Sequence, residues 1–358
     1  MRGVPSCSTA RIPVLFPVLF TAQKWCVRRS VTESHIKTCI QETKMKSLVA
    51  SPQVFARSGV LSSSVPLRLQ LFRLIGKQTW IPRGQDWMLR KIWDPDSGQS
   101  YPFEVDFFGM RYPGDLSQLI DWRVFAYGCH ASAELTLLKE LATDLRGKKK
   151  RLCFYDIGAN LGHHTLFMAG CADQVIAFEP FAPLQERICE KLRLNALTNV
   201  LLIPCALGEE DSTQRYWPGG GANSGSGTFL PEEIGTYTEP VEIRVRNGDH
   251  LCSEMGLPPV DLIKMDVEGF EPLVLHGLAD TIRRDRPPIL MEICDRARAG
   301  FGSEEDFRSL FWEDAVFAEV TGRSGCSYHL KPLHYATAGE LLAVPPEMGD
   351  FVRSRLAA

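Results

Sequence analysis

Three short stretches hold side chains of the types and spacing that chemistry needs. The first, residues 153–162, reads CFYDIGANLG: an apolar run ends at Asp156 and gives way to Gly158, Asn160 and Gly162, with almost no bulky side chain between them. A strand that ends in an acid and turns through glycines into a helix leaves room for a ligand against bare backbone. Asp156 can accept from a cationic amino group there, and the helix N-terminus can hold a carboxylate. The second stretch, VIAFEP, ends in Glu179, 23 residues after Asp156. From the end of a neighbouring strand, an acid at that distance can hold both hydroxyls of a ribose; its other reading is a charge at the start of the helix that follows. The third, LIKMDVEGFE, alternates so that Leu262, Lys264 and Asp266 share one strand face, with Glu268 and Glu271 in the turn beyond. Carboxylates so placed can orient a hydroxyl and take its proton, or hold a divalent cation that lowers the hydroxyl pKa. No third metal ligand is visible, so no metal is assigned. Lys264 has a second reading, as a structural partner of Glu268.

These residues need a frame. From residue 151 onward, strand-like runs (RLCFYDI, QVIAFEP, NVLLIPCAL, VDLIKMD, PPILMEI, AVFAEVT and SYHLKPL) are separated by helical stretches at about 162–171, 181–196, 271–284 and 303–313. Such alternation specifies an α/β fold, a doubly wound and mostly parallel sheet with helices on both faces. The last two runs have no helix between them, which predicts an antiparallel C-terminal hairpin at the sheet edge. That arrangement is the one used by S-adenosylmethionine-dependent methyltransferases, whereas a plain dinucleotide-binding sheet would carry a sixth parallel strand. The Gly-x-x-x-Gly spacing after Asp156 also lacks the Gly-x-Gly-x-x-Gly of pyrophosphate binders. Ahead of the sheet, YPFEVDFFGMRYPGD alternates about Phe108-Gly109 as a hairpin does, and a helix from Ser132 lines up Leu135, Leu138, Leu141 and Leu145, with Glu134 in its first turn. Three segments result: a basic extension or transit segment over 1–65, a cap or lid over 66–150, and the sheet domain over 151–358.

Composition narrows the function classes. The chain has 358 residues and a formal net charge of −3, but residues 1–78 hold 12 Lys and Arg against Glu33 and Glu42, so +10 sits there and −13 on the rest. An acidic folded part argues against nucleic acid bound through its phosphates. The 11 cysteines form no CxxC pair and no zinc-spaced cluster, which reads as free thiols in a reducing compartment. The apolar run IPVLFPVLF at 12–20 is too short to span a bilayer, so no transmembrane segment is expected. Two readings of the start are open: a transit peptide leading to an organelle, or initiation at Met45 and a cytoplasmic protein. The glycine-rich stretch RYWPGGGANSGSGTF (215–229), flanked by Trp217 and Phe229, reads as a loop over an acceptor or as a plain hairpin tip.

FYDIGANLG, VIAFEP, ALG, LIKMDVEGFEPLVLHG and PPILMEI, in this order, resemble the FkbM-type family of S-adenosylmethionine-dependent methyltransferases over about residues 101–295. The resemblance implies a seven-stranded class I methyltransferase sheet and S-adenosyl-L-methionine as cofactor. It implies methyl transfer to a hydroxyl oxygen of a sugar, glycolipid or small metabolite. Carried across, Asp156, Gly158, Asn160 and Gly162 contact the methionine part, Glu179 the ribose and Ala206 the adenine side, with Glu134 a further cofactor contact. Asp266, Glu268 and Lys264 are then the candidate catalytic residues. His163 and His164 stand where the family commonly has an aromatic residue or serine, and read as exposed first-turn residues of a helix. Two rivals stay open, a nucleotide-dependent oxidoreductase and a non-catalytic adenosyl-binding scaffold; the acids after the fourth strand count against the second. The partner expected is a small-molecule or carbohydrate acceptor, and the sequence carries no sign of oligomeric state.

Overall fold

The computed structural model describes residues 65–78, 84–222, 227–229, 239–323, 327–335 and 338–356. The extension expected over 1–65, apart from Val65, lies outside them, as do Met45, Cys326 and residues 223–226 of the glycine-rich stretch. The front section consists of α1 (Leu67–Gly76), α2 (Gln85–Ile92), a hairpin of β1 (Pro102–Phe107) and β2 (Met110–Asp115), α3 (Leu119–Tyr127) and α4 (Ser132–Arg146). Phe108 (φ 53) and Gly109 (φ 85) form the two-residue hairpin turn, the pairing of positive angles that matches strand twist. Phe108 sits 4.8 Å from the Phe107 and Phe167 rings, contacts that offset its unusual backbone. The leucine stripe of α4 is buried as its helical spacing requires.

The sheet region begins with β3 (Cys153–Ile157), α5 (His163–Ala169), β4 (Gln174–Phe178), α6 (Ala182–Leu194) and β5 (Val200–Ile203). Next come β6 (Ala206–Gly208), β7 (Ser212–Tyr216), β8 (Val241–Asn247) and α7 (Gly248–Met255). The chain continues with β9 (Leu262–Met265), α8 (Glu271–Gly277), α9 (Ala279–Asp285), β10 (Ile289–Ile293), α10 (Asp295–Phe301) and α11 (Glu304–Ser309), and ends with β11 (Val316–Arg323), β12 (Ser327–Pro332), β13 (Gly339–Val344) and α12 (Gly349–Arg353). Among the described residues the main sheet runs β12-β11-β13-β10-β9-β3-β4-β5, with β5, β4, β3, β9 and β10 parallel. Every residue of β3 and β9 is buried, as expected for central parallel strands covered on both faces.

Three features differ from the sequence reading. The sheet has eight strands where seven were expected, because β13 went unmarked: it pairs antiparallel with both β10 and β11, and the β11–β12 pair lies outside it. The run NVLLIPCAL breaks at Pro204, which lacks an N–H to continue the ladder, so Ala206 belongs to a separate three-stranded sheet, β6-β8-β7. The helix expected over 271–284 divides at Leu278 into α8 and α9.

The front section shares one hydrophobic core with the sheet: Leu69, Phe72, Trp122 and Phe125 cluster with Phe154, Leu166 and Leu290. A polar joint accompanies it. Buried Asp121 accepts from Tyr112 Oη at 2.7 Å, Asp115 N at 2.8 Å and Arg187 Nη2 of α6 at 3.1 Å. Lys191 Nζ lies 4.5 Å from the centre of the Tyr112 ring. The described cysteines are all free thiols.

Candidate active site

The acidic ends of β3, β4 and β9 converge where the parallel strands point their carboxyl ends. Asp156 is fully buried; its Oδ2 accepts from Thr165 Oγ1 at 2.5 Å, and its Oδ1 meets no partner. Gly158 (φ 79) turns the chain, and a Cβ there would lie 1.9 Å from the carbonyl oxygen of Asp266. Gly162 (φ 76) would place a Cβ 2.9 Å from Ile188 Cγ1. The missing side chains are thus filled partly by the protein itself. Gly158 lines a cavity, but Gly162 lines neither of the two described below and instead packs α5 against α6. Asn160 (φ 54) donates its backbone N–H to Glu179 Oε2 at 2.8 Å, and its own Oδ1 is buried without a partner. Glu179 Oε1 accepts from Phe181 N at 2.9 Å, so this acid caps the next helix and also ties down the glycine loop. Burial pushes its pKa up to about 8 despite those two hydrogen bonds.

Two cavities flank this loop. The first, of about 50 Å³, is lined by Gly158, Glu179, Ala206, Glu268 and an aromatic wall of Tyr216, Phe229 and Phe270. Ring centres are 5.2 Å apart for Tyr216–Phe229 and 4.6 Å for Phe229–Phe270. Thr228 pairs with Trp217 through two backbone bonds of 2.8 and 2.9 Å and accepts from Arg296 Nη1 at 2.6 Å, which pins the wall. The described ends of the glycine-rich stretch therefore cover the Glu179 side, and Trp217 lines neither cavity.

The second cavity, of about 250 Å³, gathers His130, Glu134, His163, His164, Lys264, Asp266, Glu292 and Glu340. Asn160 and Asp266 line both cavities and mark their junction. Lys264 Nζ lies 3.2 Å from Asp266 Oδ2. This overturns the pairing of Lys264 with Glu268: residues two apart share a strand face, whereas the turn through Glu268 (φ 55) and Gly269 (φ 100) swings Glu268 into the first cavity. Burial works against the charge on Asp266, but Lys264 outweighs it and holds the carboxyl below its usual range. Burial and neighbouring acids, Asp266 first among them, push Glu268 up to about 8 and Glu292 up to about 7. Glu340 is raised well above the ordinary carboxyl range by burial and by Glu134, Asp266 and Glu292. Glu134 is desolvated yet held low by His164, whose Nε2 is 3.2 Å from Glu134 Oε2, and by Lys264.

The two histidines expected on the surface are inside. His163 is 2 % exposed, accepts from His130 N at 3.2 Å through Nε2 and leaves Nδ1 without a partner. Burial holds its pKa far below the usual histidine range. The N-terminal turn of α5 faces His130 and the hairpin ring Phe107 rather than solvent, which is why helical position alone misplaced it. Glu340 was missed together with its strand, and Glu271, read only as a turn residue, proves buried, with Oε1 accepting from Val267 N at 3.0 Å. Among the described residues no group of three His, Cys, Asp or Glu side chains is arranged to hold a metal ion, and no helix is long and apolar enough to cross a membrane.

With this geometry in place, comparison with known proteins is informative. Residues 156–318 match the family described as the methyltransferase FkbM domain. The chain is similar to the AMB antimetabolite synthetase AmbE of Pseudomonas aeruginosa, 29% identical over 221 residues that cover 49% of this chain and 10% of that protein. It is also similar to the hexuronic acid methyltransferase AglP of Haloferax volcanii, 29% identical over 136 residues, 36% of this chain and 51% of that one. The chain thus spans about a tenth of the first relative's length and about half of the second's. Among solved structures, methyltransferase FkbM from Methylobacillus flagellatus KT aligns with 55% of this chain and 44% of its own, at 18% identity and a TM-score of 0.37. The FkbM-type resemblance read from the sequence is therefore matched by that family's model over residues 156–318.

Proposed function

We propose that the protein transfers a methyl group from S-adenosyl-L-methionine to a hydroxyl of a neutral sugar, glycolipid or small metabolite. The observation that carries this reading is the junction of two unlike cavities at Asn160 and Asp266. An adenosyl group with an amino-acid tail divides in the same way, into an apolar ring with a diol and a charged zwitterion. The residues present fit such a molecule. Asn160 Oδ1, on the lining of both cavities, is a buried acceptor without a partner, suited to an ammonium group; Asp156, whose Oδ1 is also unpartnered, lies buried beneath the loop and lines neither cavity. Glu179 keeps lone pairs for ribose hydroxyls beside those used by Asn160 N and Phe181 N. Ala206 and Phe270 suit the two sides of an adenine. A space of about 50 Å³ is well below the roughly 300–1,000 Å³ of small-molecule sites, so binding requires Tyr216 and Phe229 to give way.

Bound there, the cofactor supplies an electrophilic methyl group. The chain's own work is positional and protonic. Lys264 fixes the Asp266 carboxylate at the junction, where it can orient an acceptor hydroxyl, and the acids beside it can receive the proton. Four carboxyl groups facing one lysine disfavour an acceptor that is itself anionic. AglP is named for a hexuronic acid; the acids here favour an uncharged hydroxyl face instead. Incubation with methyl-labelled cofactor and separate pools of neutral glycans, glycolipids and uronates tests this. Label in a base-stable ether of a neutral acceptor is expected, and label in a base-labile ester or an amine would overturn it.

A further inference from the structure

Three carboxyl groups stand in a row across adjacent strands of the second cavity. Glu292 on β10 and Glu340 on β13 are direct cross-strand partners, and Asp266 follows Met265, the last residue of β9 paired to β10. Like charges directly opposite one another are destabilising, and a shared site cannot ionise two adjacent carboxyls freely. One cation, Lys264, serves this row, and it contacts Asp266. The row is therefore asymmetric: Lys264 favours the ionised form of Asp266, Glu292 stands next to it in the strand register, and Glu340 faces Glu292 from the other side.

Resting on the reading that the cofactor spans the two cavities and the acceptor meets it at their junction, we infer that Asp266 and Glu292 share one proton in the empty site and that entry of a sulfonium cofactor expels it, leaving Glu292 ready to take the acceptor's proton. The location follows from the linings: a molecule that spans both cavities must pass Asn160 and Asp266, so its central sulfur lies beside the pair. A positive charge within about 4–6 Å favours the ionised form of a carboxyl. The groups around Glu292 set the direction. Burial, Asp266, Glu271, Glu268 and Glu340 favour its protonation, and Lys264 opposes it. Glu134 and His164 close the far side of the cavity as a pair of their own. A second sign that the cavity expects a ligand is His163, buried on its lining with Nδ1 unpartnered.

The steps balance. On cofactor entry the shared proton leaves to solvent. During transfer Glu292 takes the hydroxyl proton as the oxygen forms its bond to the methyl carbon and the carbon–sulfur pair withdraws to sulfur. Sulfur ends neutral, and the pair ends with one proton, as it began.

Calorimetry of the full chain near pH 7, in two buffers of different ionisation enthalpy, reads this without any acceptor. S-adenosylmethionine carries the sulfonium and S-adenosylhomocysteine does not, so the first should release more protons, by about half a proton per site. Glu292→Gln should abolish that difference while both ligands still bind within a few-fold, and Glu340→Gln should preserve it. Equal proton release for the two ligands in the wild type, or a difference that survives Glu292→Gln, overturns the inference. Binding of neither ligand would instead sink the cofactor reading beneath it.

Discussion

Asp266 has two neighbours that both favour its ionised form, Lys264 at 3.2 Å and the carboxyl of Glu292, while 36% of its side chain stays open to the cavities it joins. That exposure makes it the group best placed to touch an incoming hydroxyl. If it orients the acceptor, Asp266→Asn should hold cofactor affinity within a few-fold and lower single-turnover methyl transfer by about 10²- to 10⁴-fold. Glu268→Gln gives the contrasting outcome. Its side chain lines the first cavity, so transfer at saturating cofactor should stay near the wild-type rate while cofactor affinity changes. Near-wild-type rates in Asp266→Asn would move the orienting role to Glu134, which faces the same cavity from α4.

At the scale of elements, Asp121 ties the front section to α6. Asp121→Ala would leave Tyr112 Oη, Asp115 N and Arg187 without their acceptor in a buried place, and should cost about 3–5 kcal/mol in denaturant unfolding. A loss under about 1 kcal/mol would mean that the front section is a loosely docked lid. The elements most visible in the sequence were those with a local signature. The β1–β2 turn at Phe108-Gly109, the leucine stripe of α4 and the all-apolar strands β3 and β9 are each readable from a few consecutive residues. β13 has only six residues and no helix before it, so nothing local marked its place between β10 and β11. Losing that strand also lost Glu340. The site divides along the same line: Asp156, Glu179 and Asp266 announce themselves by ending strands, whereas the meeting of Glu134, His164 and Glu340 depends on α4, α5 and β13 converging across long stretches of chain. Gly158 was legible as a turn, but the Asp266 carbonyl that occupies its missing Cβ was not.

For the whole molecule, the concentration of buried acids sets the pH response. Burial holds Glu179 and Glu268 up to about 8 and Glu271 and Glu292 up to about 7, against an ordinary 4.5, and raises Glu340 well above the same range. Folded chains therefore keep protons that unfolded chains have lost, and the stability tied to them is complete below about pH 4.5 and lost as pH rises through 7 to 8. Buried His130, held near 4, and His163 act in the opposite sense, but only below their ordinary 6.5. Between pH 6.5 and 8 the carboxyls dominate, so the thermal midpoint should fall by a few degrees across that interval. A flat or rising midpoint would show that these acids are ionised in the fold. The central claim is that a nucleoside cofactor with a methionine tail spans the two cavities, and its most direct measurement is calorimetric titration with S-adenosylhomocysteine and with NAD. S-adenosylhomocysteine should bind with a Kd in about the micromolar range, and NAD should not bind. Glu179→Ala should weaken S-adenosylhomocysteine by about 1–3 kcal/mol, the cost of losing two hydrogen bonds to the ribose hydroxyls. Binding of NAD, or unchanged S-adenosylhomocysteine affinity in Glu179→Ala, would contradict the central claim.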